Sequence, residues 1–588
     1  MGALRGAWPG MGFRGPCGSP GNDHRWESGG LDTPRLWYID GRTLAASTPM
    51  PSKAHTRVLG RPHRTGLVLL IAFLALAGCR GTDRRDEPPV WPRALSYAAG
   101  IVPRGLNPLL DRNGWNEVSS VVLSRLFRPD HQGGIAGDLV ESYSLSADGR
   151  TYRLRLRRNA FWHDGAQFTA DDVQSTWERL FDPRTETSLD LNQALLASFY
   201  KAGPHEFVFE LKAPDTGFLA ALTEIAVLPA HRLRAGLNGD DFERNPVGTG
   251  PYRFARPAPA LDAGEFRLVR HGSYHLGEPA FEQLRIRIIA DDDARAQALA
   301  AGEADLGHVK PAHVELLTAR GRAVYRMGSG AWRGMPLNLA RPALADARVR
   351  RAVDLAIDRE AIVRDVLAGY GQPGYSPVPP ASWAFRPAMN RKRYDPAAAT
   401  RLLDAAGWKR SRQGVRRSAS GAPLELEIIV WKDEIFRRRA AELIQQQLGA
   451  LGIRVKLHRV DGTTYNRLAE NMGSTYDTFI GGWGGLLDPG DNLYKKFHSR
   501  GSQNRIGYQD AEVDRLLEQA RSTLDRERAA VLYEEIVRRV TDSAVFLPLA
   551  YPDYLFAARP DLAGIENYIL DSWYEFTKYA AEWKPRPR

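Results

Sequence analysis

The alternation of strand-like and helix-like segments constrains this chain most strongly, and it is clearest at residues 424–460. The segments 424–431 (LELEIIVW) and 453–460 (IRVKLHRV) have the aliphatic and β-branched composition of strands. Between them, residues 434–452 have a helical pattern that ends at a glycine. A strand, a helix and a second strand in this order form a βαβ unit, whose two strands are parallel. These residues therefore predict an α/β fold.

The same two kinds of segment recur along the chain. Further strands are predicted at residues 151–162, 205–212 and 281–290. Further helices are predicted at residues 169–181, 291–302, 346–369 (with a break near Asp358), 396–407 and 510–523. In the helix 169–181 we expect Val173, Trp177 and Leu180 to face the core. The aspartates at 291–293 open a helix, where acids are typical partners of the helix dipole, and we prefer this interpretation to a metal site.

A short apolar run lies at residues 66–77, unusually far from the start of the chain. Its twelve residues carry no charge, whereas a membrane-spanning helix needs about 20 apolar residues. Basic residues precede the run, and Ala77 and Gly78 precede Cys79, as in a secretory signal peptide. The alternative is a buried core helix, but the run has no amphipathic period. The residues Leu76-Ala-Gly-Cys79 resemble the lipobox of bacterial lipoproteins, which predicts a lipid on Cys79 and a tether over residues 79–90.

Residues 1–49 have no strand or helix period, and a secretory signal lies at a true N-terminus. We therefore expect translation to start at Met50 and exclude residues 1–78 from the fold. The remaining chain of about 500 residues exceeds what one hydrophobic core organises, so several lobes are expected. The only other cysteine is Cys17, so no disulfide is predicted in the mature protein. Positive and negative charges are interspersed, which disfavours nucleic-acid binding.

Signatures of enzymes are missing from the sequence. It contains no G-x-S-x-G, P-loop, H-E-x-x-H or C-x-x-C motif, and its histidines are scattered. We therefore predict no enzymatic activity, no cofactor and no metal site.

Glycine-rich loops at strand ends are the strongest candidates for function. Residues 245–254 (NPVGTGPYRF) form a loop that enters a strand, and residues 479–499 (FIGGWGGLLDPGDNLYKKFHS) are predicted as a strand that runs into a long loop. Glycines leave backbone groups open to a ligand, and Trp483 offers a flat apolar face. A plain glycine-rich turn with a core tryptophan explains the second segment equally well.

Residues 154–180 (LRLRRNAFWHDGAQFTADDVQSTWERL) resemble the signature of family 5 extracellular solute-binding proteins, which serve ABC importers of peptides and nickel. Further segments match in the family's order over nearly all of the mature chain. They are residues 106–109, 245–252, 301–306, 346–363, 394–408, 451–457 and 507–520.

The resemblance implies a type II periplasmic-binding-protein fold, with two lobes joined by crossover strands and an extra subdomain in the first lobe. The first lobe would comprise residues 91–337 and 546–588, with 110–245 as the subdomain, and the second lobe residues 338–545. The protein would be a monomeric lipoprotein of the cell envelope, held by its lipid in the periplasm or on the outer face of the membrane. It would capture a peptide or peptide-like solute and pass it to an ABC permease with two ATPase subunits. A non-peptide solute, such as an oligosaccharide, metal chelate or conjugate, and a ligand sensor for a signalling partner are the alternatives.

The resemblance also suggests ligand contacts, all in loops that line the family's cleft. They are Asn107, Trp115, Thr249, Gly250, Asn338, Trp431, Gly482, Trp483, Leu486 and Asp488. Among these, Asp488 is expected to brace its loop by capping backbone N–H groups rather than to touch the ligand.

One position departs from the family's pattern. Peptide binders of the family typically have an aspartate at the third position after the loop tryptophan, where it pairs with the peptide's α-ammonium group. Here that position is Leu486, and the loop is one residue shorter. Either another acid has taken this place, or the ligand has no charged amine there; we favour the second outcome.

Overall fold

The computed structural model describes residues 93–109, 116–183, 185, 195–233, 242, 244–255, 258–472, 475–484 and 487–587. The predicted start at Met50, the signal peptide, the lipidated Cys79 and the tether lie outside the described residues. So do two of the predicted ligand contacts, Trp115 and Leu486.

An eight-stranded mixed sheet organises the first part of the chain and its C-terminal end. Ala94–Ala99 lies at its centre and pairs in parallel with Gln283–Ile288 and Leu306–Val309. The late strand Tyr554–Ala558 is inserted between Leu306–Val309 and Ala323–Ser329, antiparallel to both. In spatial order the strands are Ile569–Leu570, Ala323–Ser329, Tyr554–Ala558, Leu306–Val309, Ala94–Ala99, Gln283–Ile288, Glu265–Arg270 and Tyr252–Phe254.

The predicted helix at 291–302 connects two strands of this sheet and is confirmed as Asp292–Ala301. The Asp291 carboxylate accepts from the backbone N–H of Ala294 at 2.7 Å. Gly302 ends the helix with a φ of 81°, in the left-handed region that glycine favours. The aspartates therefore act at the helix N-terminus, as predicted.

A separate four-stranded antiparallel sheet lies within residues 140–211. Its strands, in spatial order, are Val140–Leu145, Thr151–Leu156, Glu206–Leu211 and Leu196–Gly203. The helix Ala170–Leu180 packs on it, with Val173, Trp177 and Leu180 buried as predicted.

Two smaller sheets organise residues 332–552. The predicted βαβ unit is confirmed: Glu425–Trp431 and Arg454–Val460 are parallel neighbours, and Ile435–Ala450 connects them. Thr478–Phe479 pairs with Glu425–Trp431 on its other side. The second sheet has the spatial order Gly371–Pro373, Phe546–Pro552, Trp332–Pro336 and Gly481–Trp483.

The hydrophobic cores fall into two sets, the first packed against the eight-stranded sheet and the second formed within residues 332–551. The chain crosses between these two sets twice. Ala331 and Tyr554 belong to the core under the eight-stranded sheet, whereas Trp332 and Tyr551 belong to a core of residues 332–551. The chain therefore crosses from one set of cores to the other between residues 331 and 332, and it crosses back between residues 551 and 554. The sequence analysis placed the corresponding lobe boundaries at 337/338 and 545/546.

The remaining helices and short strands complete these layers. The predicted helix 346–369 breaks as expected, into Ala347–Ala356, Arg359–Ala361 and the π-helical Ile362–Val366. The other α-helices are Glu117–Val122, Phe218–Ala221, Ala230–Leu233, Val314–Ala319, Pro342–Ala345, Pro396–Ala405, Gly462–Glu470, Pro489–Phe497, Ala511–Ser522 and Arg526–Asp542. The 3₁₀ segments are Pro311–His313, Pro387–Met389 and Trp573–Tyr579. Three strand pairs stand apart from the larger sheets: Phe127–Pro129 with Ile135–Gly137, Lys409–Arg410 with Arg416–Arg417, and Leu562–Ala563 with Lys584–Pro585.

The predicted long loop after the strand at residue 479 is wrong. Gly481–Trp483 is a short strand, and the helix Pro489–Phe497 begins soon after it. Among the described helices, none is both long enough and apolar enough to cross a membrane.

Candidate ligand-binding cleft

Three aromatic side chains meet where the crossover strands enter the second set of cores. The ring centroids of Trp332 and Trp483 are 5.0 Å apart, and each lies within 4.9 Å of the ring of Phe546. Trp332 is fully buried, whereas Trp483 keeps part of its surface exposed. Trp483 is therefore anchored on one side by the core and has a remaining surface that a ligand can contact.

A cavity of about 380 Å³ begins next to Trp483, at Gly484. One wall comes from residues 177–225 and is largely apolar, the second comes from residues 484–503, and the third comes from residues 571–575. The apolar wall includes Trp177, Phe181, Phe218, Leu222 and Ile225. This size and this combination of apolar and polar walls are typical of small-molecule sites.

The polar lining of this cavity is mostly acidic. It includes six carboxylates and two cationic side chains: Asp215, Glu224, Asp488, Asp491, Asp571 and Glu575, with Lys495 and Arg521. The carboxylate of Asp571 lies closest to the strand end, 3.1 Å from the point where a Cβ on Gly484 would be. Three of the six carboxylates, Asp215, Asp491 and Glu575, are paired with Arg521, Lys495 and Lys578, so the excess of negative charge in the lining is smaller than the number of carboxylates.

Asp488 begins the helix Pro489–Phe497 and accepts a hydrogen bond from the backbone N–H of Gly490 at 2.7 Å. The predicted capping role is thus confirmed, and a direct contact with ligand stays a prediction. The carboxylate is buried, and a Cβ on Gly217 would lie 3.6 Å from it and 3.2 Å from the carboxylate of Asp215. Burial, with the negative charge of Asp215 second, raises the pKa of Asp488 to about 7.

Residues 215–216 and Arg521 are tied together beside this cavity. Asp215 and Arg521 form a buried ion pair of 2.5 Å, and the backbone N–H of Thr216 donates to the carbonyl of Arg521 at 2.9 Å. The cleft is therefore closed at this edge.

Gly482 lies on the other side of Trp483, and the side chain of Arg333 covers it. The two residues are opposite each other in neighbouring strands. A Cβ on Gly482 would lie 2.8 Å from Cζ of Arg333. A ligand that approaches the open backbone of Gly482 consequently meets the Arg333 guanidinium.

Trp431 ends its strand beside a cationic side chain. The rings of Trp431 and Tyr465 are stacked 6.0 Å apart, and Cζ of Arg437 lies 5.1 Å and 4.7 Å from their centroids. Such a guanidinium–aromatic arrangement holds the arginine in one orientation.

The other predicted contacts are packed inside the protein, and the hydroxyl of Thr249 is buried without a hydrogen-bond partner among the described residues. Thr249 and Gly250 are fully buried against the helix Glu117–Val122, and the N–H of Gly250 donates to the carbonyl of Val122 at 2.9 Å. Asn107 accepts from the backbone N–H of Leu109 at 3.1 Å. Asn338 donates to the carbonyl of Tyr476 at 2.7 Å.

The structure places Gly482 and Trp483 in the strand that ends beside the cavity and Asp488 in the cavity wall, whereas Trp431 ends a strand of another sheet. Among the predicted contacts that the structure describes, Asp488 alone lines the cavity; the others, Asn107, Thr249, Gly250, Asn338, Trp431, Gly482 and Trp483, do not. Sequence reasoning missed Arg333, the wall formed by residues 177–225 and residues 571–575. The aromatic and acidic stretch DSWYEF at 571–576 was a usable signal for the third wall.

Comparisons with known proteins agree with this architecture. Residues 134–504 match the family described as bacterial extracellular solute-binding proteins, family 5. The chain is 30% identical over 488 residues to protein XP55 of Streptomyces lividans, an alignment that covers 81% of this chain and 87% of that protein.

Two further relatives are named with the ligands that they bind. The chain is 26% identical over 544 residues to the oligopeptide-binding protein AppA of Bacillus subtilis, with 87% of this chain and 97% of that protein covered. The crystal structure of NikZ from Campylobacter jejuni in complex with Ni(L-His) superposes with a TM-score of 0.74 at 28% identity. That superposition covers 84% of this chain and all of NikZ.

Proposed function

Because this chain belongs to the bacterial extracellular solute-binding proteins of family 5, we propose that it is the substrate-binding lipoprotein of an ABC importer. It captures a peptide or peptide-like solute between its lobes and delivers it to a permease with two ATPase subunits. The lobes are residues 91–337 with 546–588, including the subdomain 110–245, and residues 338–545. The core changes near residues 332 and 552 support crossovers close to these bounds.

The cavity of about 380 Å³ carries the proposal, because residues from both lobes line it. Its apolar wall suits peptide side chains. Its carboxylates suit a peptide's α-ammonium group, which needs a negative partner when it is buried. Of the two outcomes left open for the missing aspartate, the acidic wall therefore supports the first, in which another acid takes its place. It speaks against the second, in which the ligand has no charged amine.

A metal chelate is the second candidate, favoured by the likeness to a structure that holds Ni(L-His). Among the described residues, His, Cys, Asp and Glu side chains form no group of three that could hold a metal ion. Metal would thus enter this cleft with its own chelating ligands.

Native mass spectrometry of the purified protein is the test, because a co-purified ligand reports its own mass. Adducts whose masses and fragments match short peptides are expected, and they should vanish after denaturation and refolding. An adduct that contains nickel or sugar would replace the peptide proposal with the corresponding alternative.

The lipid anchor is a separate part of the proposal. Lipidation at Cys79 predicts that the wild-type protein fractionates with membranes and that Cys79→Ala moves to the soluble fraction. Intact-mass measurement of the soluble variant checks the start site. A mass that includes residues 1–49 would contradict translation from Met50.

A further inference from the structure

A two-stranded hairpin at residues 409–417 carries a dense cluster of positive charge. Its strands are Lys409–Arg410 and Arg416–Arg417, and we refer to it as the basic hairpin. Residues 405–424, which contain it, have five cationic side chains and no acid. Over the whole chain, by contrast, 80 Lys and Arg are nearly balanced by 69 Asp and Glu. The hairpin is therefore a local excess of positive charge.

One of the five cations anchors the hairpin to the rest of the protein. Arg416 is buried, and its Nε donates to the carbonyl of Leu451 at 2.8 Å, at the end of the helix Ile435–Ala450. One terminal nitrogen donates to the carbonyl of Trp408 at 2.6 Å and to the carboxylate of Asp404 at 2.8 Å. These bonds hold the hairpin against the end of the helix in one position.

The other four cations have no negative partner. Lys409, Arg410 and Arg412 are exposed and Arg417 is half-buried, and none of them forms an ion pair with a described residue. Asp404, the carboxylate at the base of the hairpin, is already engaged by the anchoring arginine. Lys409, Arg410 and Arg417 donate only to backbone carbonyls. Arg412 makes no side-chain hydrogen bond to the described part of the chain.

The pairing of the two strands brings these charges together. Lys409 lies directly opposite Arg417, and Arg410 lies opposite Arg416. Residues directly opposite on antiparallel strands share a face, and like charges in these positions repel each other. The hairpin thus gains no stability from its charges, whereas a partner with negative charge would relieve the repulsion. Phosphate oxygens are such a partner, because they match the planar fork of guanidinium donors.

We propose that the basic hairpin binds anionic lipid headgroups of the membrane to which Cys79 tethers the protein. The inference rests on the lipid anchor of the proposed function and goes beyond it, because it names the face that meets the bilayer. Residues 79–92 would span at most about 50 Å when extended, so the lipid keeps the hairpin near the membrane without fixing the orientation of the protein. Each Lys or Arg close to an anionic membrane surface adds to the attraction, and four of them turn this face towards the lipids.

The test measures binding to lipid vesicles by flotation. The full chain carries Cys79→Ala, so that no lipid of its own contributes. With vesicles of equimolar phosphatidylcholine and phosphatidylglycerol, this protein should bind about 10- to 100-fold more tightly than a variant in which glutamine also replaces Lys409, Arg410, Arg412 and Arg417. Added salt should weaken the binding. Vesicles of phosphatidylcholine alone report any contribution of the apolar run at residues 66–77.

A charge-matched control separates the hairpin from the positive charge of the whole protein. In this control glutamine replaces four arginines that are exposed, lie outside the hairpin and form no ion pair with a described residue: Arg153, Arg285, Arg320 and Arg391. The two variants have the same net charge. The control should bind anionic vesicles nearly as tightly as the Cys79→Ala protein.

The possible outcomes decide between the hairpin and its alternatives. Equal losses in the two charge variants, or no preference for anionic over neutral vesicles, would overturn the proposal. Binding that appears only when the vesicles contain the permease would overturn it too and assign the hairpin to a protein partner. If the fourfold hairpin variant fails to fold, Arg412→Gln decides alone and should weaken binding about fivefold.

Failure of the lipid anchor is distinguishable from failure of the hairpin. An unmodified Cys79 in the wild-type protein, seen by intact-mass measurement, would refute the anchor. The vesicle comparison uses no lipidated protein and would still decide whether the hairpin binds anionic lipids.

Discussion

At the scale of single residues, glycine has two different uses in this protein. Gly482 leaves room for the side chain of Arg333 to lie across it, whereas Gly250 allows its chain to approach the helix Glu117–Val122. A Cβ at Gly250 would lie 2.5 Å from the carbonyl oxygen of Val121 and 2.7 Å from that of Val122. Both glycines stand in similar glycine-rich segments of the sequence, and only the neighbouring chain shows whether a side chain or a helix backbone fills the space of the missing Cβ.

Gly250→Ala should therefore reduce the free energy of unfolding by about 1–3 kcal/mol, as overpacking against backbone does. Gly449→Ala is the control, because Gly449 is exposed near the end of the helix Ile435–Ala450 and a Cβ there meets nothing within 4 Å. That control should gain about 0.5–1 kcal/mol from the reduced entropy of the unfolded chain. Urea unfolding measures both, and equal stabilities of the two variants would contradict the packing role.

Trp483→Ala should weaken binding of the captured solute by roughly 1–3 kcal/mol through lost aromatic contact. Trp408→Ala serves as control, since Trp408 packs against the core of the βαβ unit and away from the cavity. Calorimetry with the solute identified by mass spectrometry checks both. A loss of affinity that Trp408→Ala reproduces would mean that Trp483 acts through stability alone.

The raised pKa of Asp488 predicts that the stability of the protein depends on pH. Its folded pKa of about 7 lies above the ordinary value near 4. Between these values the native state holds a proton that the unfolded state has released, so the free energy of unfolding falls as pH rises through this window. The groups facing Asp488 are Asp215, Asp491, Tyr152, Tyr533 and Arg521.

Asp488→Asn should flatten this fall and be more stable than the wild type above pH 7, because asparagine also caps helices. Burial also raises the pKa of Glu117 to about 7. Because both proteins contain Glu117, the difference between their free energies of unfolding reports on Asp488 alone. Denaturant unfolding from pH 4 to 8 is the measurement. Parallel curves for the two proteins would rule out a proton on Asp488.

At the scale of elements, the sequence predicted what local patterns determine. The βαβ unit and the helices Asp292–Ala301 and Ala170–Leu180 were found because period, caps and terminal glycine are local signals. The helix Pro489–Phe497 was missed, although Asp488-Pro489 is a typical N-cap and first helical position. The preceding glycines suggested a loop and outweighed that signal.

Long-range pairing explains the remaining misses. Tyr554–Ala558 returns to a sheet whose neighbouring strands are more than two hundred residues earlier in the chain. No local pattern specifies such a partner, and the same holds for the cleft. Trp483 and Asp488 could be predicted from their own loop, but Arg333, Asp215 and residues 571–575 become part of the site only through tertiary contacts.

At the scale of the whole molecule, the proposed function requires two lobes that close on a solute. Asp215 and Arg521 pair across the cleft edge with 4% and 11% of their side chains exposed. A buried pair of this kind is costly to break on one side only. When the cleft opens, both charges must therefore become hydrated together. This requirement favours a concerted movement of the two lobes over a local loosening of one segment.

Small-angle X-ray scattering with and without solute tests this central claim most directly. The protein is first freed of co-purified ligand by denaturation and refolding, and the solute identified by native mass spectrometry is then added to saturation. Closure of two lobes around a ligand predicts a smaller radius of gyration for the bound form. Superimposable profiles, under conditions where calorimetry proves that the solute is bound, would contradict capture by closure of the cleft.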